Sequence, residues 1–411
     1  MARLASRKIL DVLGAFLQRQ GARSDENIRV RTFASSGSFV VSEKTTDRAR
    51  FPDEALAAAV PPADEVRERL AQLVEHVATQ IAAGELPRVE VPHLHRTNAI
   101  YDEDGNVFLG RYVRDLAMDR HGGKAFVRVL LALEAASEHF RDGVCTTKRG
   151  LYYRHRAKVP DDADQLDTDR AIASLANVLR VRRKALGFVE APRGSVFGRL
   201  VIRDGEQVVD LAKCGLHGRT VPRFIDDVEI QSSDARAIVV LEKHAVAARL
   251  AQTRWCDKAR TIVVSSHGFP SLSTREFVKK LVDTLRIPAV IFADADPAGI
   301  QLALTHAHGS ISTALETPWL ACSELRWAGM HPSDYERHGM KRDEIRLSER
   351  DRARARELIE HPSRAYANDR VRDELRILVD RGFKVELDSL CYETRLDDYM
   401  QHKLDGDLIK L

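Results

Sequence analysis

The chain has 411 residues, with 64 Lys and Arg against 61 Asp and Glu; 44% of it is hydrophobic and 30% charged. That length points to two or three domains of ordinary size rather than one core. No stretch approaches the ~18 consecutive apolar residues that span a bilayer, and the start, MARLASRKIL, lacks an apolar segment ahead of a small-residue cleavage site. The expectation is a cytoplasmic protein with no membrane partner. Cys145, Cys214, Cys256, Cys322 and Cys391 are scattered without a C-x-x-C pair, which predicts free thiols and argues against a disulfide or zinc framework.

In chain order, ASRKILDVLGAFLQRQ carries Ile9, Leu10, Leu13, Phe16 and Leu17 at helical spacing and leads into a polar linker around Ser35–Ser38. After Pro61-Pro62, DEVRERLAQLVEHVATQIAAG places Val66, Leu70, Leu73, Val77 and Ile81 on one helical face, with Gly84 as its stop. Helical segments continue to about residue 186. In DRAIASLANVLRVRRKALG, an apolar stripe of Ile172, Leu175, Val178 and Leu179 precedes Arg180, Arg182, Arg183 and Lys184. FVEAPRGSVFGRLVI then reads as an antiparallel pair turning at Pro192-Arg193-Gly194. Helices followed by a short hairpin with a basic tip are the plan of a winged-helix domain.

Charge sharpens that plan. Lys148, Arg149, Arg154, Arg156 and Lys158 fall between Cys145 and Pro160 without an acid, and from Arg170 to Arg199 seven cations face one Glu190. One such run is ordinarily a solvated helix face. Two runs around a winged-helix pattern favour nucleic-acid contact, because clustered cations release counterions from phosphates.

From about residue 200 the pattern changes. LVIRDGEQVVDL is a hairpin turning at Asp204-Gly205. ARAIVVLEKHAVAARLA, ARTIVVSSHGFPSLSTREFVKKLVDTL and PAVIFADADPAGIQLALTHA each run from a β-branched apolar strand into a helix, which predicts a parallel, doubly wound α/β sheet. Glu242 ends one strand; Asp294 and Asp296 end another, where such sheets bind ligands. An aspartate before proline, as in Asp296-Pro297, is also an ordinary helix N-cap. Three carboxylates brought together need a cation, and hard oxygen ligands suit Mg²⁺.

The glutamate followed by D-x-D resembles the Toprim domain of topoisomerases, primases and some nucleases. TKRGLYY, the PRG turn, Glu242-Lys243, HGFPSLSTR and DADPAGI, in this order, resemble the A subunit of topoisomerase VI and its eukaryotic relative that makes meiotic double-strand breaks. The resemblance runs from RTNAIYD (Arg96–Asp102) to the C-terminus, where RDELRILVDRGFKVELDSL is similar to the family's closing helical segment. It implies a mainly helical winged-helix domain followed by an α/β Toprim domain, with an arm and helices over 1–90, the winged helix over 91–200 and the Toprim domain over 201–411.

The resemblance also implies roles. Tyr153 occupies the place of the tyrosine that attacks a DNA phosphodiester and stays on the 5′ phosphate, with Tyr152 as its packing neighbour and Arg149 one turn away to offset charge. Glu242, Asp294 and Asp296 would hold Mg²⁺, and Lys243 would contact phosphate. Lys148, Arg154, Arg156, Arg182, Arg183 and Arg193 would line a channel for double-stranded DNA, contacting its backbone rather than its bases. A homodimer would pair one protomer's tyrosine with the other's acids, and an ATP-binding B-type protein is an implied partner, since the chain has no Walker A pattern. Gly150 stands where the family has an acid, His267 where it has Lys, and Ser271 where it has an acid. Two other readings stand beside this one: a Toprim nuclease that hydrolyses DNA with water, and a non-catalytic DNA-binding scaffold of the same fold.

Overall fold

The computed structural model describes residues 39, 50–158, 164–191, 193–337, 344–391, 395–406 and 408–411. The helix expected before residue 20, the polar linker at Ser35–Ser38 and Pro192 lie outside the described residues. The fold is mixed α/β and divides into two compact units, the first built mainly from residues up to Val189 and the second mainly from Glu190 onward.

In the first unit, α1 (Ala63–Ala82) buries Val66, Leu70, Leu73 and Val77 of the stripe expected from spacing and adds Val74, while Ile81 is only half-buried; Gly84 follows it at φ +74°. α2 (Gly123–Asp142) ends where Gly143 takes a left-handed conformation that a side chain would strain. α3 (Lys148–Lys158) carries the YY pair. α4 (Gln165–Leu179) begins at Asp164, whose carboxylate accepts the Asp167 amide, and buries Ile172, Leu175, Val178 and Leu179. These helices share one apolar core with Val89, Val91 and Leu116, the last three from an antiparallel pair of Arg88–Pro92 with Val113–Ala117.

The expected wing hairpin does not form. Phe188–Val189 pairs in parallel with Thr146–Thr147, and Ser195–Gly198 instead joins the main sheet of the second unit. The reason is burial: all four residues of Ser195–Gly198 are buried, as an inner strand requires and a solvated wing does not. Arg193 remains exposed between the two strands.

That main sheet has seven strands: β1 (Ser195–Gly198), β2 (Arg219–Thr220), β3 (Ala237–Leu241), β4 (Thr261–Ser265), β5 (Ala289–Phe292), β6 (Arg326–Gly329) and β7 (Ile409–Lys410), in the order β2-β1-β4-β3-β5-β6-β7. β4, β3, β5 and β6 are parallel, joined through buried β-branched runs. β1, β2 and β7 are antiparallel to their neighbours, so the sheet is mixed rather than wholly parallel. α5 (His244–Gln252), α6 (Leu272–Leu285) and α7 (Pro297–His308) each follow a parallel strand. α8 (Glu349–Ile359), α9 (Asp369–Arg381) and α10 (Arg395–Leu404) complete the unit. The hairpin of Val201–Asp204 with Gln207–Asp210 pairs Asp204 with Gln207, and Gly205 supplies the positive φ of its turn. All five cysteines are free, and among the described residues no helix is long and apolar enough to cross a membrane.

Candidate active site

Glu242 directly follows β3, and Asp294 and Asp296 follow β5, its parallel neighbour. Adjacent parallel strands deliver their next residues to the same edge, which is why residues far apart in sequence meet there. Glu242 Oε2 accepts the Asp294 amide at 3.1 Å. Asp296 caps α7, its carboxylate accepting the Gly299 amide at 2.7 Å with Pro297 in the first turn. The capping and strand-end readings of Asp296 therefore hold together. Gly299 is required here: a Cβ on it would lie 2.4 Å from the Asp294 carbonyl oxygen.

Both oxygens of Asp294 are engaged. Oδ1 accepts the Leu387 amide at 2.8 Å, and Oδ2 lies 3.1 Å from Lys243 Nζ. The same ammonium meets Glu386 Oε2 at 2.9 Å and Asp388 Oδ2 at 3.1 Å. A second lysine, Lys384, stands 3.6 Å from Asp296 Oδ2 and 3.1 Å from Asp351 Oδ2. Ala295 and Val385 are joined by backbone hydrogen bonds, so the segment after α9 is tied directly to the D-x-D turn. The closing segment is thus helical only to Arg381; beyond it the chain returns to the acids as Phe383–Lys384 and a single 3₁₀ turn.

Burial pushes the Glu242 carboxyl up to about 7, with the charges of Asp294 and Asp296 adding to it. Burial likewise raises Asp294 to about 6, against the pull of the Leu387 amide and Lys243. For Lys243, burial disfavours the charge, but Glu386, Asp294 and Asp388 outweigh it and hold the ammonium well above its ordinary pKa. The site is short of positive charge, and lysines supply part of it.

This donor chemistry fits a divalent ion such as Mg²⁺, which prefers carboxylate oxygen. Glu242, Asp294 and Asp296 are the groups that would hold it. Among the described residues, however, no three acids, cysteines or histidines are grouped as ion ligands in this arrangement. Lys243, expected as a phosphate contact, is instead bound to three carboxylates.

Tyr153 lies on the solvent side of α3 and is 52% exposed. Arg149, one turn earlier, donates from Nη2 to its phenol oxygen at 3.3 Å and lies 5.8 Å from its ring centre. Tyr152 is half-buried, its ring 5.3 Å from that of Tyr153, while Leu151 anchors the helix in the core. Gly150 donates its amide to Thr147 Oγ1 at 3.0 Å, and a Cβ there would meet the same oxygen at 3.1 Å. The missing acid of this position is replaced by close capping from Thr147.

The basic residues divide. Arg156 and Arg193 are exposed; Arg154, also exposed, pairs with Glu138 at 2.5 Å, and Lys148 stands 3.9 Å from Asp169. Arg182 and Arg183 do not line an open surface. Both are buried around Glu316, at 3.9 and 3.3 Å, and Arg183 also donates to the Ser312 carbonyl. Sequence counted them as free positive charge because Glu316, their partner, lies far along the chain.

Two departures from the expected motif have local explanations. Ser271, in place of an acid, caps α6 by accepting the Thr274 amide. His267, in place of Lys, shares the Ser195 hydroxyl with His244, at 3.0 and 2.9 Å. Burial and the neighbouring His244 lower its pKa, so it supplies no fixed charge at neutral pH. Ser195, His244, Lys384, Glu386 and Asp388 were not singled out from sequence. The signal for the last two was the E-x-D of VELDSL, hidden inside a segment that reads as helical.

Comparison with known proteins gives a consistent result. Residues 237–404 match the family model for the Toprim domain of Spo11 and the topoisomerase 6 A subunit, and residues 124–188 match that described as type IIB DNA topoisomerase. The chain is 27% identical over 340 residues to the A subunit of type 2 DNA topoisomerase 6 from Natronomonas pharaonis, covering 80% of this chain and 91% of that protein. It is also 27% identical over 336 residues to the human meiotic recombination protein SPO11, covering 80% of this chain and 83% of that one.

Proposed function

Since this chain belongs to the family of Spo11 and the topoisomerase 6 A subunit, we propose that it cleaves double-stranded DNA by reversible transesterification, acting as a homodimer with Tyr153 as the nucleophile. The observation that carries this reading is the exposed Tyr153 phenol with the Arg149 guanidinium donating to its oxygen. A phenol ionises near ~10 and is a weak nucleophile at neutral pH. The guanidinium stabilises negative charge on that oxygen as its proton is lost to solvent. Tyr153 Oη then attacks phosphorus; the new Oη–P bond replaces the P–O3′ bond, and the departing 3′ oxygen takes a proton from solvent to become a hydroxyl. Attack by that hydroxyl reverses the step and reseals the strand.

Glu242, Asp294 and Asp296 would hold a divalent ion such as Mg²⁺, which when bound would supply positive charge to the phosphate and the leaving oxygen. The exposed Arg156 and Arg193, with Arg154 and Lys148, position the DNA backbone; Arg182 and Arg183 serve the fold instead. A C₂ dimer supplies the two tyrosines that a double-strand break needs, each working with the partner's acids as the family resemblance implies. The chain itself shows no ATP-binding motif, so strand passage requires an ATP-hydrolysing partner of B type. DNA as substrate also puts the protein at the nucleoid.

Incubation with supercoiled DNA and Mg²⁺, quenched in detergent and digested with protease, tests this. Breaks with protein on their 5′ ends are expected from the wild type and none from Tyr153→Phe. Breaks that persist in Tyr153→Phe, with free ends, indicate hydrolysis by a Toprim nuclease and refute the proposal. A non-catalytic scaffold is favoured by one observation, the occupation of Asp294 by Lys243; salt-sensitive binding without any cleavage supports it.

A further inference from the structure

We propose that Lys243 is a built-in cation of the acidic site, an ammonium that a divalent ion must displace before Asp294 becomes a ligand. The inference rests on the proposed role of Glu242, Asp294 and Asp296 as an ion site, and adds to it a competitor and a latch.

Each oxygen of Asp294 already has a partner. Oδ1 accepts the Leu387 amide and Oδ2 is in contact with Lys243 Nζ. On its other side the same ammonium holds Glu386 and Asp388 at 2.9 and 3.1 Å. Lys243 therefore does two things at once: it neutralises the D-x-D turn and fastens the Val385–Cys391 segment to it. Its side chain is only 22% exposed, with three carboxylates around one ammonium. A divalent ion arriving at Asp294 meets a like charge about 3 Å from the oxygen it needs, and two like charges at that separation repel strongly. Ion binding and Lys243 contact with Asp294 are then mutually exclusive, and departure of Lys243 releases its grip on Glu386 and Asp388. The freed ammonium is a mobile cation beside the place where a phosphate would sit. The incoming ion replaces the lysine at Asp294, and no covalent bond of the protein is made or broken.

Two measurements on the full chain without DNA test this, both using Mn²⁺ as the probe. First, Mn²⁺ binding is followed by electron paramagnetic resonance. Lys243→Met is expected to bind about tenfold more tightly than wild type, since it removes a unit charge a few Å from the ion, whereas Lys243→Arg stays close to wild type. Second, amine acylation of the wild-type protein is read by mass spectrometry. Lys243 is expected to be poorly reactive alone and several-fold more reactive at saturating Mn²⁺. Equal or weaker Mn²⁺ binding by Lys243→Met, or Lys243 reactivity unchanged at saturation, overturns the inference. Glu242→Gln separates the two levels of the argument. If it binds Mn²⁺ as wild type does, the ion-site reading itself fails; if it loses binding while the Lys243 results are negative, only the latch fails.

Discussion

Replacing Glu242 with glutamine removes the half-buried charge beside buried Asp294 while keeping an oxygen to accept the Asp294 amide. In the folded protein burial, with Asp294 and Asp296 nearby, pushes the Glu242 carboxyl from 4.5 up to about 7. Unfolding returns it to the ordinary value. Across that interval the folded state keeps a proton that the unfolded state has released, so stability is highest below about pH 4.5 and is lost as pH rises through 7. At about 1.4 kcal/mol for each pH unit of the interval, the loss is at most about 3.5 kcal/mol. In chelator, urea denaturation should find Glu242→Gln nearly equal to wild type at pH 4.5 and more stable by about 2–3 kcal/mol at pH 8. Adding Mg²⁺ should narrow the gap, stabilising wild type by mass action and leaving the variant unchanged. Neutralising Asp294 as well should gain less than the sum, because each charge raises the other. A Glu242→Gln protein that is less stable than wild type at pH 8, or a difference independent of pH, would refute the electrostatic reasoning.

Other outcomes follow from the same geometry. Arg183→Ala should destabilise the protein by about 3 kcal/mol in denaturant melts, because it strips the buried Glu316 of its nearer partner; Arg156→Ala should leave stability alone but weaken DNA binding and flatten its salt dependence. Gly299→Ala should cost about 1–3 kcal/mol and weaken Mn²⁺ binding, since its methyl group must displace the Asp294 carbonyl.

The parts of the fold visible in sequence were those decided locally. AIVVL, TIVVS and AVIF carry continuous apolar runs at their centres because their strands are buried on both faces, and that pattern reads as parallel sheet without help. Glu242, Asp294 and Asp296 could be placed because they directly follow such strands. What failed was decided by distant partners. FVE and SVFG flank a turn-forming PRG and look like a hairpin, yet each pairs elsewhere, with Thr146–Thr147 and with β4. The two-residue strands β2 and β7 carry no periodicity to read. Arg182 and Arg183 counted as free charge until Glu316 came to lie against them, and Lys243 counted as a phosphate contact until Glu386 and Asp388 returned from the other side of α9.

The point at which DNA is attached to the protein decides whether Tyr153 is the nucleophile. After a Mg²⁺ reaction quenched in detergent, nuclease trimming and trypsin digestion should leave the Gly150–Arg154 peptide, which holds both tyrosines, carrying a nucleotide remnant. Fragmentation is predicted to place a 5′-phosphate bond on Tyr153. Cleaved DNA with no adduct, or an adduct on Tyr152 instead, would rule out Tyr153 as the nucleophile.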